Sequence, residues 1–232
     1  MDTRLIFTFL RNIAANNSRE WFHGHRAEYD AARASFEAGI EKAMARIAGF
    51  DASVGHLTLK DVTYRFYRDT RFSPDKSPYK RHFGAYIAAH GKKAMHGGYY
   101  IHLEPGNSLL ACGNYELPTN VLTSCRNEIM GNIGEWRSIV EDERFASRFG
   151  RPGGGAWGDN CGFGITMLKK CPAGFPKDYE FIDYLRMKDY CCWHKVPESF
   201  FEGDGWIDKA VETFMAAKPM MDFVNSVIDD YE

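Results

Sequence analysis

The sequence predicts an α+β fold, with a central, mainly antiparallel sheet of about five strands covered by N-terminal and C-terminal helices. Three observations lead there. Apolar residues recur at helical spacing over residues 1–50 and again over 197–230, the period drops to two between 60 and 113, and the strands come in a run instead of alternating with helices. The chain has 232 residues, 44% of them hydrophobic and 26% charged. A chain of that length buries roughly 70–75% of its extended surface, so it reads as one domain over 1–232.

In the helical stretch 1–50, Asn17 followed by Glu20 has the form of a capping box. Beyond it Phe22, Tyr29, Ala32, Phe36, Ile40, Ala43 and Ile47 mark one apolar stripe, and Gly49 supplies the stop. In the sheet-forming stretch 60–113, VTYRFY alternates Val62, Tyr64 and Phe66 against Thr63, Arg65 and Tyr67. The turn-rich segment RDTRFSPDKSPYK follows, then strands at Phe83–Ala89, Gly98–Glu104 and Ser108–Cys112, the last two joined at Pro105-Gly106-Asn107. Residues 114–184 mix helix and loop. A helix after Pro118 carries Val121, Leu122, Cys125 and Ile129, a weaker one runs past Trp136, Ile139, Phe145 and Phe149, and the glycines of RPGGGAWGDNCGFG predict a surface loop or lid. Residues 185–193 alternate as a fifth strand, and 197–230 are helical with a break at Pro219.

The net charge of −2 argues against coating nucleic acid or anionic membrane through bulk charge. No segment approaches the roughly 20 apolar residues that span a bilayer, and the N-terminus lacks a signal-peptide pattern, which predicts a cytoplasmic protein. The six cysteines show no CxxC or zinc-type spacing and read as small buried hydrophobes, with the vicinal pair Cys191-Cys192 as the one exception to watch. Trp21, Trp157, Trp193 and Trp206 read chiefly as core and secondarily as a stacking pocket.

Charge is uneven along the chain. Lys60–Arg81 holds seven bases against three acids, and Glu202–Glu232 eight acids against two lysines. Arginine forks and lysine point charges suit phosphate and carboxylate, so Arg65, Arg68, Arg71, Lys76 and Lys80, with Asp69 and Tyr79, are the candidate ligand-binding residues. The opposing reading has Asp69 and Asp75 pairing with these bases to pin a long turn. On the third strand Tyr100, His102 and Glu104 share a face, and His102 and Glu104 are the candidate catalytic pair, acting as base and acid. The same pair supplies two metal ligands but needs a third, for which His82, His96 and Asp69 are the options; no metal site is predicted from spacing. The chain has no GxxxxGK[ST] or GxSxG motif, and its glycine-rich loop offers no GxGxxG between a strand and a helix.

The stretches NNSREWF, YRFYRDTRFSPDKSPYK, GGYYIHLEPG, LKKCPAGFPKD and LRMKDY, with KPMMDFV near Pro219, resemble the domain of unknown function 2461 family. The resemblance implies a single domain over nearly the whole chain and transfers no catalytic residues. It departs at ACGNYELP before Pro118, where the family leads one to expect a run of glycines.

The function expected from these residues is binding of a small anionic ligand, with hydrolysis or group transfer at a phosphate as the chemistry that Arg and Lys would support. The alternatives are a protein-interaction or structural module and a nucleic-acid surface using Tyr64, Phe66 or Tyr67 for stacking. The sequence names no cofactor, no membrane partner and no oligomeric state.

Overall fold

The first helix starts where the sequence provides a cap. The Asp2 side chain accepts the Leu5 backbone N–H at 2.9 Å, and α1 (Thr3–Ala15) buries Ile6, Phe7, Phe9, Leu10 and Ile13 on one face. The computed structural model describes residues 1–155 and 159–230. After α1 come α2 (Arg19–Gly24), α3 (Arg26–Ala48), α4 (Leu59–Val62), β1 (Phe83–Ile87), β2 (Gly98–Leu103) and β3 (Leu109–Asn114). Three helices follow, α5 (Thr119–Gly131), α6 (Ile133–Val140) and α7 (Glu143–Phe149), then β4 (Cys161–Phe163), α8 (Ile182–Arg186), β5 (Tyr190–Lys195) and α9 (Trp206–Asp229). The strands form an open antiparallel sheet in the order β1-β2-β3-β5-β4, an α+β architecture. No helix among the described residues is long and apolar enough to cross a membrane.

The chain divides into two compact units. The first contains Met1–Lys92, Tyr100–Leu109 and Val196–Val211, the second Lys93–Tyr99, Leu110–Lys195 and Glu212–Glu232. In the first unit Phe9, Phe22, Tyr29, Phe66, Tyr79 and Phe83 form a continuous aromatic cluster, with Phe22 stacked on Tyr79 at 4.1 Å. In the second, Trp136 packs against Phe163, Tyr190 and Phe223. There the buried Asp189 carboxylate accepts the Ile165 and Thr166 N–H groups at 2.9 Å each, tying a loop to the start of β5.

Several elements depart from the sequence expectation, each for a local reason. The N-cap near residue 17 is Ser18, whose hydroxyl accepts the Trp21 N–H. Asn17 instead clamps a distant backbone, its amide donating to Tyr79 O and accepting from Tyr79 N, both at 3.0 Å. The single N-terminal stripe is two helices broken at His25, whose Nδ1 lies 2.8 Å from Trp21 O. VTYRFY is not a regular strand. Val62 closes α4, capped by a Thr58–Asp61 capping box, and only Thr63 and Tyr67 make bridge pairs, with Ala85 and Tyr79.

The glycine-rich stretch contains a strand, β4, in which Gly162 faces Trp193 of β5. A side chain at Gly162 would enter the Trp193 ring, so the glycine serves packing there. The fifth strand begins at Tyr190, not 185, because Ile182–Arg186 closes a helical turn first. Pro219 lies inside α9 without ending it. The carbonyl it leaves unpaired belongs to the exposed Met215, where water can satisfy it, while Ala217, Met220, Met221 and Val224 stay buried. Trp193 and Trp206 are core residues and Trp21 stacks on His25 at 4.0 Å, whereas Trp157 lies outside the described residues.

Candidate functional site

The basic segment folds back on itself in the first unit. Arg68 N donates to Pro78 O and Lys80 N to Phe66 O, so the chain on either side of residues 69–77 runs antiparallel and the intervening turn projects outward. Within that turn the acids occupy most of the bases. Asp69 takes Arg71 through paired contacts at 2.7 and 3.0 Å and also caps its N–H. Asp75 accepts from Ser77 N and from Arg68 Nη1 at 2.6 Å, and Arg68 donates further to Ser77 O. Lys76 Nζ donates to Thr70 O. Tyr79, a candidate ligand contact by sequence, is 1% exposed and belongs to the aromatic core.

The hydrogen bonds from Arg71 hold the Asp69 carboxyl at about 2, and those from Ser77 and Arg68 hold Asp75 well below the usual carboxylate range. A carboxylate with a depressed folded pKa stabilises above its unfolded value and loses that contribution as pH falls through the folded one. The turn should therefore stay unchanged down to about pH 4 and loosen toward pH 2. Followed by NMR, the Arg71 amide shift is expected to titrate near 2; a midpoint at the ordinary value of 3.8 would show that the pair does not form in solution.

A second polar group lies along β2. Tyr100, His102 and Glu104 alternate onto one side, and their heads are joined: Tyr100 Oη is 2.8 Å from His102 Nδ1, and His102 Nε2 is 3.2 Å from Glu104 Oε2. Asn107 Nδ2 donates to the same carboxylate oxygen at 2.8 Å, and Ser108 Oγ exchanges hydrogen bonds with the Glu104 backbone, fixing the turn after β2. His82, immediately before β1, places its ring 4.3 Å from that of His102. Gly84, two residues further on, makes room for the phenol, since a Cβ there would lie 2.6 Å from Tyr100 Oη.

Electrostatics sets the proton positions. Burial pushes Glu104 up, but hydrogen bonds from His102 and Asn107 outweigh it and hold the carboxyl at about 2. Burial keeps Tyr100 protonated far above neutrality and, with the nearby His102 and Lys80, lowers His82 to about 3. Glu104 is thus an acceptor only, so His102 Nε2 carries the shared proton and Nδ1 accepts from Tyr100. This is an oriented imidazole suited to general acid–base work. One ring nitrogen each from His82 and His102 and one Glu104 oxygen lie within 4.8 Å of one another.

Lys80 connects the two groups. It is half-buried, with Nζ 4.9 Å from the centre of the Tyr64 ring, which in turn meets Tyr100 edge-on. It makes no ion pair among the described residues, and burial, followed by Arg65 and Arg33, lowers its pKa. Arg33 is occupied by Glu37, Tyr64 O and Thr63 Oγ1, while Arg65 is exposed.

The family model described as conserved hypothetical protein (DUF2461) matches residues 5–223. The chain belongs to the DUF2461 family. No curated protein and no solved structure matches it. In this DUF2461 chain the sequence candidates thus fall into two sets. His102, Glu104 and Lys80 share one neighbourhood, whereas Arg68, Asp69, Arg71 and Lys76 are tied up in the turn. Of the three options for a third partner, His82 is the one beside His102; His96 instead lies 2.7 Å from Asp229 in the second unit. Sequence reasoning missed Gly84 and Asn107. A glycine inside a strand, on the face opposite the core residues Phe83 and Ala85, was the available signal for the first.

Proposed function

We propose that this chain binds a small phosphate- or carboxylate-bearing ligand beside β1 and β2, with Lys80 and Arg65 holding the anion and His102–Glu104 handling protons for hydrolysis or group transfer. The observation that carries the reading is Lys80. A half-buried ammonium with two guanidinium neighbours and no carboxylate partner among the described residues is an uncompensated positive site, and an anion supplies the missing charge. Arg68, Arg71 and Arg81 contribute less, because Asp75 and Asp69 already pair with them.

The test is titration with inorganic phosphate at low ionic strength, followed by calorimetry. Lys80→Met, which keeps the aliphatic length, is expected to lose about tenfold or more in affinity, on the scale of one charged hydrogen bond. Arg71→Ala should bind as the wild type does. Equal affinity in the wild type and Lys80→Met would remove Lys80 from the site and the reading with it.

A further inference from the structure

We propose that His82, His102 and Glu104 form a binding site for a zinc-type divalent cation, with two imidazoles and one carboxylate as ligands and a fourth position open. The donor set is the nitrogen and oxygen chemistry such ions take, and three protein ligands with one free position is the arrangement of catalytic rather than structural sites.

The geometry supports this at three points. Two donors on a tetrahedral ion with bonds of about 2.0–2.2 Å stand about 3.3–3.5 Å apart, and His102 Nε2 and Glu104 Oε2 are already 3.2 Å apart. The third ligand needs only a side-chain adjustment, because all three donor atoms lie within 4.8 Å of one another. His82 is also available. Its ring packs on His102 yet forms no hydrogen bond among the described residues.

The surrounding shell has the partners that metal ligands use. Asn107 holds the Glu104 carboxylate and Tyr100 holds the far nitrogen of His102. When the cation takes Nε2, the proton there moves to Nδ1, which then donates a hydrogen bond to Tyr100 Oη. No redox step and no co-reactant is involved. The open position would face the ligand oxygen that Lys80 attracts, so the cation adds a Lewis acid to the reading above; the ligand set itself does not depend on that reading.

The experiment is a titration of chelator-stripped protein with Co(II), then Zn(II), in phosphate-free buffer. One Co(II) per chain should bind with the visible absorption of a tetrahedral site, and Zn(II) should displace it. His82→Asn and Glu104→Gln are expected to lose the band and to weaken Zn(II) by about tenfold or more, with unchanged circular dichroism, and Tyr100→Phe to keep the band at about tenfold lower affinity. If His82→Asn does not fold, His102→Gln serves the same purpose. Folded wild type that binds no cobalt, or binding that survives His82→Asn and Glu104→Gln, overturns the proposal. Phosphate titrated into the stripped protein separates the two ideas: phosphate binding without cobalt binding sinks the metal site alone, and cobalt binding without phosphate binding sinks the anion reading alone.

Discussion

Phe66→Ala is expected to destabilise the protein by about 3–5 kcal/mol, the range for deleting a buried phenylalanine from a packed core. Phe66 is 3% exposed, and its ring centre lies 5.0 Å from Tyr29, 5.4 Å from Phe83, 5.7 Å from Phe9 and 5.8 Å from Tyr79. Truncation would leave a cavity walled by these four aromatics and by Phe22 at 5.9 Å, themselves confined by α1, α2, α3 and β1, so little can collapse into it. Urea unfolding should show a lower midpoint with an unchanged slope. Phe72→Ala is the control, since Phe72 is 93% exposed at the tip of the turn and its loss should change stability by less than about 0.5 kcal/mol. Equal midpoints for the two variants would mean that the basic segment does not pack as described. Because Phe66 is enclosed, it has no face to offer a nucleobase, and the stacking role considered for VTYRFY loses its central residue.

The same segment shows what a sequence reveals and what it hides. Period and composition are local, so the apolar stripe of α2 and α3, the β1–β3 run and the excess of bases between Lys60 and Arg81 were all legible. Pairing is not local. Nothing in the string RDTRFSPDKSPYK distinguishes an arginine that waits for a ligand from one that Asp69 or Asp75 has already taken. The acidic C-terminal stretch behaves similarly: in the first unit Asp204 and Asp208 pair with Lys42 and Arg46 of α3, so part of its charge is met by a helix and not by the basic segment. Alternation also misled at VTYRFY, where the period-two pattern is real but a capped helical turn ends at Val62. Pro219 misled in the opposite direction, since burial along α9 outweighs one missing hydrogen bond. In the candidate site, His102 and Glu104 could be found from their spacing on one strand, but His82 could not be chosen over His96 and Asp69 without the β1–β2 neighbour relation.

That relation is exposed most directly by Gly84→Ala. The added methyl would lie 2.6 Å from Tyr100 Oη and 3.1–3.2 Å from its ring edge, so the phenol must move. Its end is polar and unbranched, and the displacement should cost no more than about 1–3 kcal/mol of stability. The effect on the site is larger. Once Tyr100 swings away, His102 Nδ1 loses its donor, the imidazole is oriented by Glu104 alone, and affinity at the site should fall by about 10–100-fold, as when an orienting outer partner is removed. The His102 Nδ1 shift should move as its hydrogen bond from Tyr100 is lost, while Nε2 stays protonated against Glu104. A double-mutant cycle with Tyr100→Phe decides whether the steric route is the right one. Removing the hydroxyl relieves the closest contact, so Gly84→Ala with Tyr100→Phe should be less damaging than the two single changes added together. Strict additivity in both stability and affinity would mean that Gly84 and Tyr100 act separately, and the glycine would then have no part in shaping the His102 environment.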